Sequence, residues 1–190
     1  MKRIIKTGDV ELCGKVLKLP PSKKGKGHYF EILQKLVSQM DAMLSHHCKL
    51  LIFRVDLHLH EQSDTSEQLS KLFRRFKKRL TTKGIKRLGY VWCREQDQSD
   101  KHHYHVCFMI DGNKYRNPFH LIGLIRSYWS DGQVGSIWQP ENSIYHLGRG
   151  DLQAYQEVFN RISYLAKVDT KGNKPKSSND YGGSRIKPKS

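Results

Sequence analysis

A chain of 190 residues is long enough for one domain with a real core and short for two. Its 34 Lys and Arg against 18 Asp and Glu leave a formal charge of +16, while 10% aromatic content excludes a purely disordered basic tail. A folded body with that surplus repels itself, so an anionic partner is expected. Nucleic acid is the first candidate, ahead of a basic scaffold protein or a domain that merely has a high pI.

Residues 1–27 read as a basic loop or flexible arm, closing in Pro20-Pro21-Ser22-Lys23-Lys24-Gly25-Lys26-Gly27. A helix is expected from about His28, with Phe30, Leu33, Leu36, Val37, Met40 and Leu44 on its apolar face. Leu50 to Leu59 reads as a central strand: Leu51, Phe53, Val55, Leu57 and Leu59 alternate with Ile52, Arg54, Asp56, His58 and His60. Thr65 or Ser66 can cap the next helix, which closes at Gly84 and buries Leu69, Leu72, Phe73, Phe76 and Leu80. Leu88–Arg94 and Tyr104–Ile110 form the two strands of a predicted hairpin, with a polar turn between them. A helix from Phe119 to about Trp129, short extended segments at Gly135–Gln139 and Ser143–Leu147, and a last helix from a cap at Asp151 to about Lys167 complete the domain. From Asp169 to Ser190 the composition turns to that of a basic, flexible tail.

This order predicts an α+β fold close to a ferredoxin-like plan: an antiparallel central sheet with helices on one face and the other face left for a substrate. The expected division is an arm over 1–27, one domain over 28–168 and a tail over 169–190. No apolar run is long enough to cross a bilayer, and Lys2-Arg3 leads into Thr7-Gly8-Asp9 rather than a signal peptide. Cys13, Cys48, Cys93 and Cys107 form no C-x-x-C pair, which argues against a zinc ribbon or a redox dithiol. The expected home is the cytoplasm, with reduced thiols and no membrane partner.

The chemistry concentrates in His103-Tyr104-His105. Residues i and i+2 of a strand face the same way, so both imidazoles project to one side, their Cβ atoms about 6–7 Å apart, a spacing that suits one ion. Glu95, eight residues upstream at the end of the partner strand, is folded back beside them by the hairpin. Two imidazoles and a carboxylate suit Mn²⁺ or Mg²⁺, with Zn²⁺ as the alternative, and leave positions for phosphate oxygens. His58 and His60 form a second H-x-H that shares parity with Asp56, so any of these three can replace Glu95 as third ligand. Asp97 and Asp100, in the turn, are further oxygen donors.

Tyr164 and Lys167 stand three apart on the last helix and share a face. A phenol of pKa near 10 is a poor nucleophile unaided, and a cation beside it can stabilise the phenolate or a developing phosphate charge. By itself this pair is more often a boundary residue and a solvated lysine. Asn160, one turn earlier, can steer a phosphate. Tyr145 and Tyr155 are rivals without a basic residue three places on.

The stretches His103-Tyr104-His105-Val106-Cys107-Phe108 and Tyr164-Leu165-Ala166-Lys167, with Arg54-Val55-Asp56 and Arg94-Glu95, resemble the HUH endonucleases. Within them the chain is most similar to the Gp2-like replication proteins of filamentous phages and the YagK/YfjJ-type domain, over roughly 28–168. The resemblance implies an RRM-like nuclease fold and a metal that clamps a scissile phosphate while a single tyrosine attacks. Cleavage then leaves a 5′-phosphotyrosyl link and a 3′-OH that a host polymerase extends, as in rolling-circle replication, and the same residues rejoin the ends. Tyr104 stands where the family has an aliphatic residue, and no helicase domain follows, so a host helicase is implied. A small HUH transposase, or a non-catalytic DNA- or RNA-binding regulator, is the alternative.

Expected DNA contacts follow from charge density. Lys71, Arg74, Arg75, Lys77, Lys78, Arg79, Lys83, Lys86 and Arg87 crowd one helix and its exit, and Arg94 lies on the next strand. Such a row can track phosphates along a single strand or a hairpin origin. Trp92, Trp129, Trp138 and Tyr104 are the aromatics to weigh for base stacking, with Trp92 and Trp129 also readable as core.

Overall fold

In this computed structural model the described residues are 3–22, 24–61, 63, 65–96, 102–168 and 179–190. The chain runs β1 (Ile4–Ile5), β2 (Gly8–Leu12), β3 (Lys15–Leu19), β4 (His28–Tyr29), α1 (Phe30–His46), β5 (Lys49–Leu59) and α2 (Glu67–Thr82). It continues with β6 (Gly89–Gln96), β7 (His102–Asp111), α3 (Phe119–Trp129), β8 (Gly135–Trp138), β9 (Ile144–Gly148) and α4 (Leu152–Ile162). A 3₁₀ turn (Ser163–Ala166) and β10 (Tyr181–Gly183) close it. This is a mixed α+β fold around a central antiparallel sheet ordered β10-β6-β7-β5-β8, with β9 also paired to β5 beyond the end of β8.

Period-two patterning explains the centre of the sheet. Leu51, Phe53, Val55 and Leu57 of β5 face the same side as Val106, Phe108 and Ile110 of β7, and helices α2 and α3 pack there through Leu69, Phe73, Phe76, Leu121 and Ile125. Phe108 sits among Phe53, Phe73 and Phe76 at ring-centroid distances of 5.2, 6.0 and 5.4 Å. Edge and offset contacts of this kind add to the transfer free energy of the rings.

Helices thus pack on one face as expected, but the second face is not left bare. Leu50, Ile52, Cys107 and Met109 point there into a core shared with Leu33, Leu36 and Met40 of α1 and Val158, Phe159 and Ile162 of α4. The first segment contributes as well. Instead of a flexible arm, residues 8–19 form the β2–β3 hairpin, with Val10, Leu12, Leu17 and Leu19 buried in that core. Burying each such side chain is worth about 1.5–3 kcal/mol, which outweighs the pull of the neighbouring lysines toward solvent. The alternation V-x-L and L-x-L at these positions is the signal that the surrounding Lys and Gly obscure.

The tail expectation needs the same correction over its described part. Tyr181–Gly183 pair with Val91, Trp92 and Cys93 of β6. The buried Gln39 of α1 then anchors the end of the chain, accepting from the Ser184 hydroxyl and the Ile186 amide and donating to the Ile186 carbonyl. Residues 169–178 of the expected tail lie outside the described residues.

Candidate metal and tyrosine site

Directly opposed residues in antiparallel strands point to the same face, so the register can be read as cross-strand rows. On the face shared with α1 and α4, one row runs Glu95–His103–His58–Ser136 across β6, β7, β5 and β8. The next runs Cys93–His105–Asp56–Trp138, and the one after it sets Val91, Cys107 and Arg54 side by side. Hydrophobic core ends and ionisable chemistry begins along this one face, at the level of Arg54 on β5.

Glu95, His103 and His105 come together as expected. One ligand atom from each lies within 4.8 Å of the others, and all three residues are buried. Glu95 Oε2 is 2.9 Å from His105 Nε2 and 3.7 Å from His103 Nε2. Among the described residues no other His, Cys, Asp or Glu joins this group. His58 instead lays its ring against His103, with centroids 5.1 Å apart and planes at 19°. His60 lies beyond the end of β5, exposed, its amide bonded to the Val134 carbonyl. Asp97 and Asp100 lie outside the described residues.

Asp56 takes a different part from the one considered for it. Its Oδ1 is 2.8 Å from His105 Nδ1, and Arg54 grips it with Nε to Oδ1 at 2.8 Å and Nη2 to Oδ2 at 2.9 Å. A carboxylate on Nδ1 fixes the imidazole so that Nε2 faces the ion position, the usual support of a metal-binding histidine. Two imidazoles and a carboxylate, two of them already set against each other, fit a divalent cation. Burial works against charge on His105, but hydrogen bonds to Asp56 and Glu95 outweigh it and raise its pKa. Burial likewise opposes ionisation of Asp56, and the bonds from His105 and Arg54 reverse that and hold its carboxyl below the ordinary range. Both shifts follow from the same pairing of one imidazole with two carboxylates, an arrangement that favours positive charge between them.

Tyr164 reaches the same place from the other end of the fold. Asp151 caps α4 by accepting from the Ala154 amide at 2.9 Å, and Val158, Phe159 and Ile162 pin the helix to the sheet. The helix stops at Ile162, and the tighter 3₁₀ turn carries Tyr164, with Leu165 and Ala166 buried just before a β-bridge between Lys167 and His28. The expected α-helix through Lys167 thus ends five residues early. This turn sets the Tyr164 ring edge-on to His105, 5.5 Å between centroids at 83°. The Arg54 guanidinium lies 4.2 Å and the Lys167 ammonium 4.5 Å from the ring centroid. Burial raises the phenol pKa, Glu95 raises it further, and Arg54 opposes both. Tyr145 bonds the Asn142 carbonyl and Tyr155 donates to Asp41 at 2.8 Å, so both rival hydroxyls are engaged outside the His/Glu group. Asn160 is engaged with Gln156, 2.7 Å away on its own helix. Arg54 is the residue that sequence reasoning left without a role. The signal was its parity with Asp56 and His58, which only the register with β7 turns into proximity.

The basic row lies elsewhere. Arg74, Arg75, Lys77, Lys78, Arg79, Lys83 and Lys86 are exposed on and after α2, with Lys71 and Arg87 half-buried. Because α2 packs against the Phe108 side, that row is on the opposite side of the sheet from His103 and His105. Arg94 does not belong with it. Its parity is that of Trp92, it is 4% exposed, and it bonds the Tyr104 hydroxyl, so it is part of the interior. Trp92, Trp129 and Tyr104 are buried, whereas Trp138 is exposed. No helix among the described residues is long and apolar enough to cross a membrane.

Over 182 aligned residues the chain is 23% identical to YagK of Escherichia coli strain K12, covering 76% of this chain and 88% of that protein. It is 28% identical over 191 residues to YfjJ of the same strain, covering 76% and 90%. No solved structure matches it. The YagK/YfjJ C-terminal domain family matches residues 15–184, from β3 through β10, and the chain belongs to that family.

Proposed function

We propose that this chain is a metal-dependent endonuclease and strand transferase of single-stranded DNA, with the RRM-like architecture of the HUH type. The observation that carries the reading is the edge-on contact of Tyr164 with His105 beneath two cations. Glu95, His103 and His105 would hold a divalent cation, Mn²⁺ or Mg²⁺ before Zn²⁺, which supplies polarisation of a non-bridging phosphate oxygen. Asp56 orients His105, and Arg54, itself held by Asp56, places positive charge over both the phenol and an incoming phosphate. Lys167 adds a second positive charge at the ring. The Tyr164 oxygen bonds to phosphorus and gives up its proton, while the bond from phosphorus to the 3′ oxygen breaks and that oxygen leaves as a protonated 3′-OH. Attack by a 3′-OH reverses the step. No water is consumed and no oxidant is needed.

In this reading the substrate is a single strand or a hairpin origin, the chain works in the cytoplasm, and a host polymerase and helicase extend and unwind the nicked DNA in rolling-circle fashion. Arg74, Arg75, Lys77, Lys78 and Arg79 on the far side of the sheet grip a second stretch of the same DNA. That separate basic row also favours a second reading, a non-catalytic DNA- or RNA-binding regulator. Labelled single-stranded DNA from the cognate origin, incubated with Mn²⁺ or Mg²⁺ and run on a denaturing gel, separates them. A covalently shifted band that disappears in Tyr164→Phe and in His103→Ala supports the nuclease. Its persistence in Tyr164→Phe removes Tyr164 as nucleophile, and its absence from the wild type leaves the binding reading.

A further inference from the structure

We propose that Trp138, two residues before the segment that walls the cavity beside Tyr164, is the stacking platform for one unpaired nucleobase next to the phosphate that Tyr164 engages; the assignment of that phosphate rests on the nuclease reading above. Three observations converge on it. Trp138 stands in the row Cys93–His105–Asp56–Trp138, so its indole is on the same face as the His/Glu cluster. Two strand spacings place its Cα about 10 Å from that of His105, roughly one nucleotide's reach beyond the ion position. It is 56% exposed, while Trp92 and Trp129 are 8% and 1% exposed, and among the described residues it makes no ring contact. An indole left in water forgoes a large apolar gain, which a flat π-surface laid on it recovers.

The third observation is what surrounds it. The chain leaving Trp138 through Pro140–Ser143 walls a cavity of about 230 Å³, whose other walls include Arg54, Arg161, Tyr164 and Lys167. Arg161 and Lys167 stand there with Arg54, itself paired with Asp56, and Glu141 is the one carboxylate in the wall. A neutral ring surface on the same face and positive charge in the cavity match a base and its flanking phosphates. A cationic groove with aromatic steps is how single strands are held without reading sequence. A polyanion without bases would be drawn to the cations and gain nothing from the indole.

The test is binding of a fluorescein-labelled oligothymidine to the full chain in EDTA, where cleavage plays no part. Trp138→Ala should weaken binding about tenfold, and Trp138→Phe should recover most of it, given roughly 1–3 kcal/mol per stacked base. Arg161→Ala should lower the salt dependence by about 0.7 in slope, whereas Trp138→Ala should leave the slope unchanged. Quenching of tryptophan emission by DNA should be present in the wild type and lost in Trp138→Ala. Equal affinity of Trp138→Ala and wild type overturns the proposal, as does wild-type binding to inorganic polyphosphate as tight as to the oligonucleotide. A Trp138-dependent affinity without any covalent adduct in Mn²⁺ means that the nuclease reading fails and the base seat stands. A Tyr164-dependent adduct with no Trp138 dependence of binding means the reverse.

Discussion

The two faces of the central sheet are built from the same strands and treated by the fold in opposite ways. On the α2 and α3 side, every inward position of β5 and β7 from Leu51 to Leu57 and from Tyr104 to Ile110 is part of one apolar core. On the α1 and α4 side the same strands bury Leu50, Ile52, Cys107 and Met109, then change to Arg54, Asp56, His103 and His105. The second face holds buried ionisable groups because each is given a partner: Arg54 on Asp56, Asp56 on His105, His105 on Glu95. Burial without such pairing would cost several kcal/mol per charge. One face supplies stability, and the other uses part of it to hold charge in place.

Substitutions on the two faces can break or sharpen that contrast. The largest effect on stability is expected from Phe108→Ala, about 3–5 kcal/mol in urea or thermal unfolding, because its cavity lies among three aromatic rings. Divalent-metal affinity of the folded fraction should stay as in the wild type. A large loss of metal affinity in folded Phe108→Ala would mean that the two faces are one cooperative site.

Asp56→Asn should act on the other face. It should weaken divalent binding about 10–100-fold by calorimetry, as removal of a histidine's supporting carboxylate commonly does. Unchanged affinity would return His105's orientation to Glu95 and the backbone alone. His58→Ala, on the same row as His103, should change affinity far less, since its ring stacks on His103 outside the ligand group.

The pH dependence of the metal-free protein has two limbs. His105 is raised above its ordinary value, so its contribution to stability is complete below about pH 6.5 and is lost as pH rises through the raised folded value. Asp56 is held below its ordinary value, so its contribution is present above about pH 4 and is lost as pH falls through the depressed folded value. Denaturant midpoints in EDTA should therefore decline at both ends. With Mn²⁺ the upper limb should reverse, because the ion needs neutral imidazole and binds more tightly as His105 loses its proton. A stability that climbs steadily with pH in EDTA would contradict the paired His105.

The smallest effect on stability is expected from the double change Arg75→Ala with Lys78→Ala, within about 0.5 kcal/mol, since both side chains are exposed. DNA affinity should fall, and the slope of log affinity against log salt should drop by about 1.4–1.8. An unchanged slope would leave α2 as a merely solvated face.

Local pattern was a sound guide wherever one face of one element decided the outcome. Period two in Leu51 to Leu59, the five apolar positions of α2 and the hairpin that brings Glu95 to His103 are all readable within a short window, because strand and helix geometry fix which neighbours share a side. The hairpin at residues 8–19 was hidden because its alternation is short and broken by Glu11, Lys15 and Lys18. Arg94 looked like a DNA contact because a cation on a strand carries no mark of the side it faces until the strand's partners are known.

From the chain alone came the surplus of charge, the sheet-and-helix order and the Glu95–His103–His105 group, all consequences of composition and of contacts no more than about ten residues apart. Tertiary structure decided the rest: that β5 pairs with β7 so that Asp56 meets His105, that a 3₁₀ turn sixty residues on brings Tyr164 under Arg54, and that the basic helix lies behind the sheet rather than beside the site. These are long-range choices of register and of face. They are set by which apolar surfaces bury each other across the whole chain, and no local spacing records them.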